Sequence, residues 1–264
     1  MREILYPPAQ PRSIGEVLES GVRIHRATAA GTMGYAVLAA LATELPNIDF
    51  LANGRPLPTV SLEADTVRLT GADPEWWAWY VAGTILALFL WGALLLRQKA
   101  LASGQSARTG KELRAAAATL STLIVSTALV LVAVLAGLAL FVVPGVYLSA
   151  VLVPAPLAVV LMRKGPLESL LYAATLVRGN WWRTSVLSGA ACAVFILLAA
   201  CVAALAAVLQ ALGHITDTQT LDAIDVAEGV IVSAVSMPPA TALLLALLGD
   251  LLVRQGEAAG ARGS

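Results

Sequence analysis

Charge is what this chain has least of. Only 13% of its 264 residues are Asp, Glu, Lys or Arg, while 58% are hydrophobic. A soluble domain carries about 25% charged residues. The deficit, with a mean hydropathy of +0.80, excludes an ordinary soluble globule and points to a polytopic membrane protein. Histidine is nearly absent as well. His25 and His214 are the only two, and neither has a partner at metal or triad spacing. The two cysteines, Cys192 and Cys201, share one apolar run nine residues apart. At about 100° per residue they fall on opposite helix faces. That rules out a disulfide framework or a zinc pattern, and both are expected as small apolar core residues.

Catalytic motifs are missing too. There is no G-x-S-x-G elbow. Gly104 and Gly110-Lys111 depart from a phosphate loop, with five residues between the glycines and Glu112 after the lysine. The span interiors hold no ionisable residue, the usual pointer to an ion or proton pathway. Glu44 and Asp250 fall near span ends and are expected at the interface. Ser121, Thr122, Ser126 and Thr127 are expected to satisfy helix contacts. No catalytic, cofactor-binding or metal-binding residue emerges, so the chain is read as not an enzyme, with no cofactor and no nucleic-acid partner.

What is present is an all-α membrane architecture. Met1 to Arg12 holds three prolines and no apolar run follows directly, which does not fit a signal peptide. Ser13 to Arg26 reads as an amphipathic helix at the membrane surface, with Ser13 and Glu16 as a capping box. Residues 27–45 form a first span rich in Ala and Gly, with Gly31 and Gly34 suited to close packing. Within the polar connection 46–75, TVSL at 59–62 and TVRL at 66–69 suggest a short hairpin around Glu63-Ala64-Asp65. Trp76-Trp77-Ala78-Trp79-Tyr80 has the composition of a headgroup-level belt and opens a second span, 76–96.

From Ala115 to Met162 no residue is charged. A span needs about 20 residues, so this run makes two, 115–142 and 145–162, with the break expected at Val143-Pro144-Gly145. Pro154 and Pro156 should distort the fourth span. Residues 166–179 form a second amphipathic helix. Pro166 suits its first position, Glu168 its first turn and Gly179 its end. Leu167, Leu170, Leu171, Ala174, Val177 and Trp181 recur at helical spacing as a stripe for the membrane surface. A fifth span, 184–212, an acidic connection, 213–228, and a sixth span, 229–253, interrupted by Pro238-Pro239, complete the chain before a short polar tail. All 264 residues form one membrane domain.

Charge sets the threading. With six spans, every Lys and Arg except Arg55 and Arg68 falls on the side of the two termini, and the acidic connections fall on the other. Cytoplasmic segments collect Lys and Arg, so both termini are expected in the cytoplasm of a cell inner membrane. The spans also hint at a repeat of surface helix plus hairpin. Ser149-Ala150-Val151 precedes Pro154 as Ser233-Ala234-Val235 precedes Pro238, and Glu16 to Arg26 matches Glu168 to Arg178 in spacing.

Three stretches carry a resemblance: Phe141-Val-Val-Pro-Gly-Val-Tyr147, then Arg163-Lys-Gly-Pro-Leu-Glu168, then Leu176-Val-Arg-Gly-Asn-Trp-Trp-Arg183. Together with Arg12-Ser-Ile-Gly-Glu-Val-Leu18, they resemble a bacterial group of six-helix inner-membrane proteins. It includes the membrane domain attached to some glycerophosphodiester phosphodiesterases. The resemblance implies a six-span membrane domain and no phosphodiesterase activity, because the catalytic barrel would need roughly 250 further residues. Where that family carries a basic residue, Ser and an aromatic in the amphipathic helix, this chain has Tyr172-Ala173-Ala174. Two functions fit. One is a non-enzymatic scaffold or envelope-maintenance protein acting on anionic lipid headgroups or other membrane proteins. The other is a small transporter or channel with a site between the Pro-broken fourth and sixth spans.

Overall fold

A computed structural model describes residues 4–63 and 66–263. Five of its helices are long and apolar enough to cross a membrane, and a bent helix pair makes a sixth. The protein is therefore an all-α polytopic membrane protein.

Helix α1 runs unbroken over Ile14–Thr43. The amphipathic segment 13–26 and the span 27–45 are thus one helix, and the separate surface helix expected there does not exist. Both patterns are helical and nothing between them breaks the backbone. Val17, Ser20, Gly21 and Ile24 are buried, so the amphipathic face packs on the bundle and not on lipid. The capping box at Ser13 and Glu16 is present. At Glu44 the chain bends by 60° into α2, Leu45–Ala52. Pro46 suits the start of this helix and Phe50 buries it. It occupies the beginning of the connection expected to be irregular.

Strands β1, Thr59–Glu63, and β2, Thr66–Thr70, pair antiparallel with Glu63 opposite Thr66. Glu63 belongs to the ladder, and residues 64 and 65 of the expected loop lie outside the described residues. Helix α3, Pro74–Ala102, is capped by Asp73, which accepts from the Trp76 N–H at 2.8 Å. Trp76 stacks on Tyr80 at 5.2 Å, while Trp77 and Trp79 stay exposed, as a belt requires. Arg55 draws this end together through Asp49, Asp73 and Glu75 at 3.0 to 3.2 Å, with its guanidinium over Phe50.

Helix α4 covers Thr109–Leu140 and α5 covers Val142–Leu152. The break falls at Phe141 and not at 143–145. Pro144 and Gly145 sit inside the first turn of α5, where a proline costs no helical hydrogen bond. Phe141 is extended, with φ −163° and ψ 152°. The turn is tight enough that a Cβ at Gly145 would lie 2.4 Å from the Leu138 side chain. A second break at Val153 separates α5 from α6, Pro154–Met162, which is the distortion expected of Pro154.

Helix α7, Pro166–Val177, starts and stops as its sequence indicates, with Gly179 in the left-handed region at φ 80°. Its buried stripe is Ser169, Ala173, Leu176 and Val177, while Leu167 and Leu171 are 66% and 70% exposed. Leu167, Leu171 and Ala174 therefore face outward, while Leu170 packs against the core and Val177 is buried in it, so only part of the expected stripe is clear of the core.

Helix α8, Trp181–Leu212, buries only Thr184 and Leu187. Cys192 and Cys201 are both exposed on it, so they are not core residues. Helix α9 runs from Thr218 to Gly263, through Pro238 and Pro239, without a break. The acidic connection shrinks to 213–217, and the tail continues the helix. Pro154 begins a new helix and Pro238 lies inside one, so these two landmarks of the suggested repeat differ in local structure.

The centre of the bundle is α1, α3 and α9. A Cβ at Gly83 in α3 would come within 2.2 Å of the Ala42 carbonyl oxygen on α1, so only glycine allows these backbones to meet. Gly31 faces Leu101, and Gly34 faces open space.

Candidate functional site

Two polar assemblies sit where the basic residues gather. The first is a cavity of about 530 Å³ between the end of α3 and the start of α4, lined by Lys99, Ser103, Gln105, Ser106, Arg108, Lys111 and Glu112 among others. Its one carboxylate is already engaged. Glu112 accepts from the Tyr35 hydroxyl at 3.2 Å, the Arg97 guanidinium at 3.4 Å and the Arg108 N–H at 3.0 Å. It is buried, and Arg97 lies beside the Tyr35 ring. Among the described residues, the Lys99, Arg108 and Lys111 side chains form no ion pair. The cavity thus offers three uncompensated cations and several hydroxyl and amide groups, a donor set that fits a phosphate-type anion.

The second assembly is a node around Asp250, which is fully buried. Its carboxylate accepts from the Arg12 N–H at 2.7 Å, Arg183 Nε at 2.8 Å and Arg254 Nε at 3.0 Å. Arg183 and Arg254 also donate to the Arg12 carbonyl. The interface role expected of Asp250, with Arg254 one turn on, covers half of this arrangement. Arg183 and the Arg12 backbone come from distant parts of the chain. The residues before α1 act as a strap: the Leu5 and Tyr6 N–H groups donate to the Ala102 carbonyl, and Tyr6 packs against Gly249. Burial first, and then Tyr172, push the Tyr6 phenol up to about 12.

The other singled-out residues scatter. Glu44 ends α1 and accepts from Asn47. Ser126 meets Ser169 of α7 at 2.9 Å, the helix contact expected of it. Ser121 is exposed. Glu168 accepts from Lys164 and from the Gly165 N–H, which hold its carboxyl below the usual range. His25 and His214 lie apart, and no group of three metal-ligating side chains occurs among the described residues.

At the Pro-broken spans, Leu152, Ala155 and Leu157 around the Val153 break are buried. On α9, the Pro238 carbonyl accepts from Gln98 Nε2 at 3.0 Å and from Thr241. Sequence reasoning missed Gln98, Glu112 and the cavity. The cluster of basic residues at 97–114 was the available signal. No family model, no curated protein and no solved structure matches the chain.

Proposed function

We propose that the protein is a non-enzymatic membrane scaffold of the bacterial inner membrane whose basic face holds anionic lipid headgroups. The observation that carries this reading is the cavity lined by Lys99, Arg108 and Lys111, three cations without ion-pair partners beside a carboxylate already satisfied. Basic pockets between membrane helices suit phosphate-bearing headgroups, at about 1 kcal/mol per cation near an anionic surface. The positive-inside rule turns this face, and both termini, toward the cytoplasm. The resemblance to six-helix inner-membrane domains points the same way. Apolar burial at the Val153 break favours a scaffold over a transporter with a site there.

The test is lipid retention by the full chain in detergent, read by mass spectrometry. The wild type should carry anionic phospholipid in preference to zwitterionic lipid. The triple variant Lys99→Gln, Arg108→Gln, Lys111→Gln should lose that preference. Inorganic phosphate that displaces the lipid would identify the headgroup as the recognised part. Equal lipid profiles for wild type and variant would refute the reading.

A further inference from the structure

Resting on the headgroup reading of the cavity between α3 and α4, we infer that its occupant carries two phosphates on one lipid headgroup, as cardiolipin does.

Lys99, Arg108 and Lys111 line the cavity and form no ion pair among the described residues. Glu112 is the one carboxylate in the lining, and the Arg97 guanidinium at 3.4 Å balances it. Three cations therefore remain. A headgroup with a single phosphate diester leaves two of them unmatched, and one with two diesters leaves only one. Lys99 is half-buried, so its ammonium has already lost part of its water and gains from an incoming anion. An ammonium-bearing headgroup finds no free carboxylate. The Arg108 N–H occupies one Glu112 oxygen, and Tyr35 and Arg97 occupy the other.

The cations stand on two elements. Lys99 belongs to α3, with Ser103 one turn on at its C-cap, while Arg108 and Lys111 belong to the N-cap and first turn of α4. Each wall thus has the donors for one phosphate. The turn that joins the walls is closed by its own backbone. The Ser103, Gly104 and Gln105 N–H groups donate to the Lys99, Leu101 and Ala100 carbonyls at 3.0, 3.1 and 2.9 Å. The walls are therefore set before a ligand arrives, which lowers the cost of binding. A volume of about 530 Å³ falls within the range of about 300–1,000 Å³ for small-molecule sites and leaves room for more than a single phosphate. Gln105 and Ser106 line the turn and suit the hydroxyl of a glycerol that links two phosphates.

Polarity along the walls favours a lipid over a soluble bisphosphate. On α3 the lining passes from Leu96, at the end of an apolar run, through Lys99 to Ser103. On α4 it passes from Arg108 through Lys111 to Ala115, where the charge-free run begins. Both walls are polar at the turn and apolar toward the spans. That is the order of an amphiphile with its headgroup at the turn and its chains beside the helices.

The experiment titrates the delipidated full chain in detergent with cardiolipin, phosphatidylglycerol, phosphatidic acid and phosphatidylethanolamine, read by native mass spectrometry. Cardiolipin should bind roughly fivefold tighter than phosphatidylglycerol, the factor for one further cation engaged. Lys99→Gln should abolish that margin and leave phosphatidylglycerol binding unchanged, which also shows that the variant is folded. Arg108→Gln with Lys111→Gln should weaken both lipids. A margin that survives Lys99→Gln would come from the extra acyl chains and would overturn the inference. So would phosphatidic acid binding as tightly as cardiolipin, or soluble glycerol bisphosphate binding as tightly as the lipid. Equal binding of cardiolipin and phosphatidylglycerol, both above phosphatidylethanolamine, would remove the second phosphate and keep the anionic-headgroup reading. Anionic lipids binding no tighter than phosphatidylethanolamine would remove both.

Discussion

Arg183 and Asp250 lie 67 positions apart in the chain and 2.8 Å apart in space. The contact joins the start of α8 to α9. Because Asp250 also accepts from Arg12 and Arg254, one carboxylate holds three segments at the base of the bundle.

Removing that carboxylate strands buried cations. Arg183 is only 13% exposed at its side chain. Breaking a buried pair on one side costs about 3–5 kcal/mol. Asp250→Ala is therefore expected to lower the thermal unfolding midpoint in detergent sharply. Arg254→Met, at a site 30% exposed, should have a smaller effect. The double variant Asp250→Leu, Arg183→Met should recover part of the loss.

The α1 and α3 backbones meet only because residue 83 lacks a side chain. Gly83→Ala places a carbon 2.2 Å from the Ala42 carbonyl oxygen. Backbone cannot yield as a flexible side chain does, so the helices must separate, at a cost of about 1–3 kcal/mol. Gly34→Ala, which meets nothing within 4 Å, is expected to leave stability unchanged. Paired melting curves check both.

Ser126 and Ser169 share one hydrogen bond between α4 and α7. Hydrogen bonds between membrane helices are weak, about 0.6 kcal/mol on average. A double-mutant cycle with Ser126→Ala and Ser169→Ala should return a coupling near that value. Ser169→Ala should be the more destabilising single variant, because it leaves the buried Ser126 hydroxyl without a bond, whereas in Ser126→Ala the Ser169 hydroxyl still donates to the Pro166 carbonyl at 2.7 Å.

Tyr6 sets an alkaline limit. Its folded value, pushed up to about 12, lies above the ordinary value of 10.0. The unfolded chain therefore releases its proton first. The contribution is fully present below pH 10 and is lost as pH rises toward 12, with a slope of at most about 1.4 kcal/mol per pH unit. Tyr6→Phe should flatten that part of the stability profile. A profile unchanged by the substitution would exclude Tyr6 as its source.

Much of the architecture was legible from local chemistry. The charge-free run from Ala115 to Met162 demanded two helices, because one crossing needs only about 20 residues. The termini of α7 were written in Pro166, Glu168 and Gly179. Where the reading failed, the missing information was non-local. Nothing near Arg26 says whether α1 stops there, since an amphipathic stripe and a span share the same backbone. The Phe141 break could not be read from Pro144, because proline is as comfortable in the first turn of a helix as in a loop. Cys192 and Cys201 looked like core residues, yet α8 turned out to face outward along most of its length.

The sequence by itself determined the membrane as solvent, the helical class and the segregation of charge to one side. These follow from composition and from how far apolar runs extend, and both are properties of the chain alone. Tertiary structure decided the rest. It paired Asp250 with Arg183 and opened a basic cavity beside Glu112. It also brought the Tyr147 ring to the Trp181 ring across 34 positions of the chain. Each of these depends on how helices distant in sequence cross, and local pattern carries no record of that.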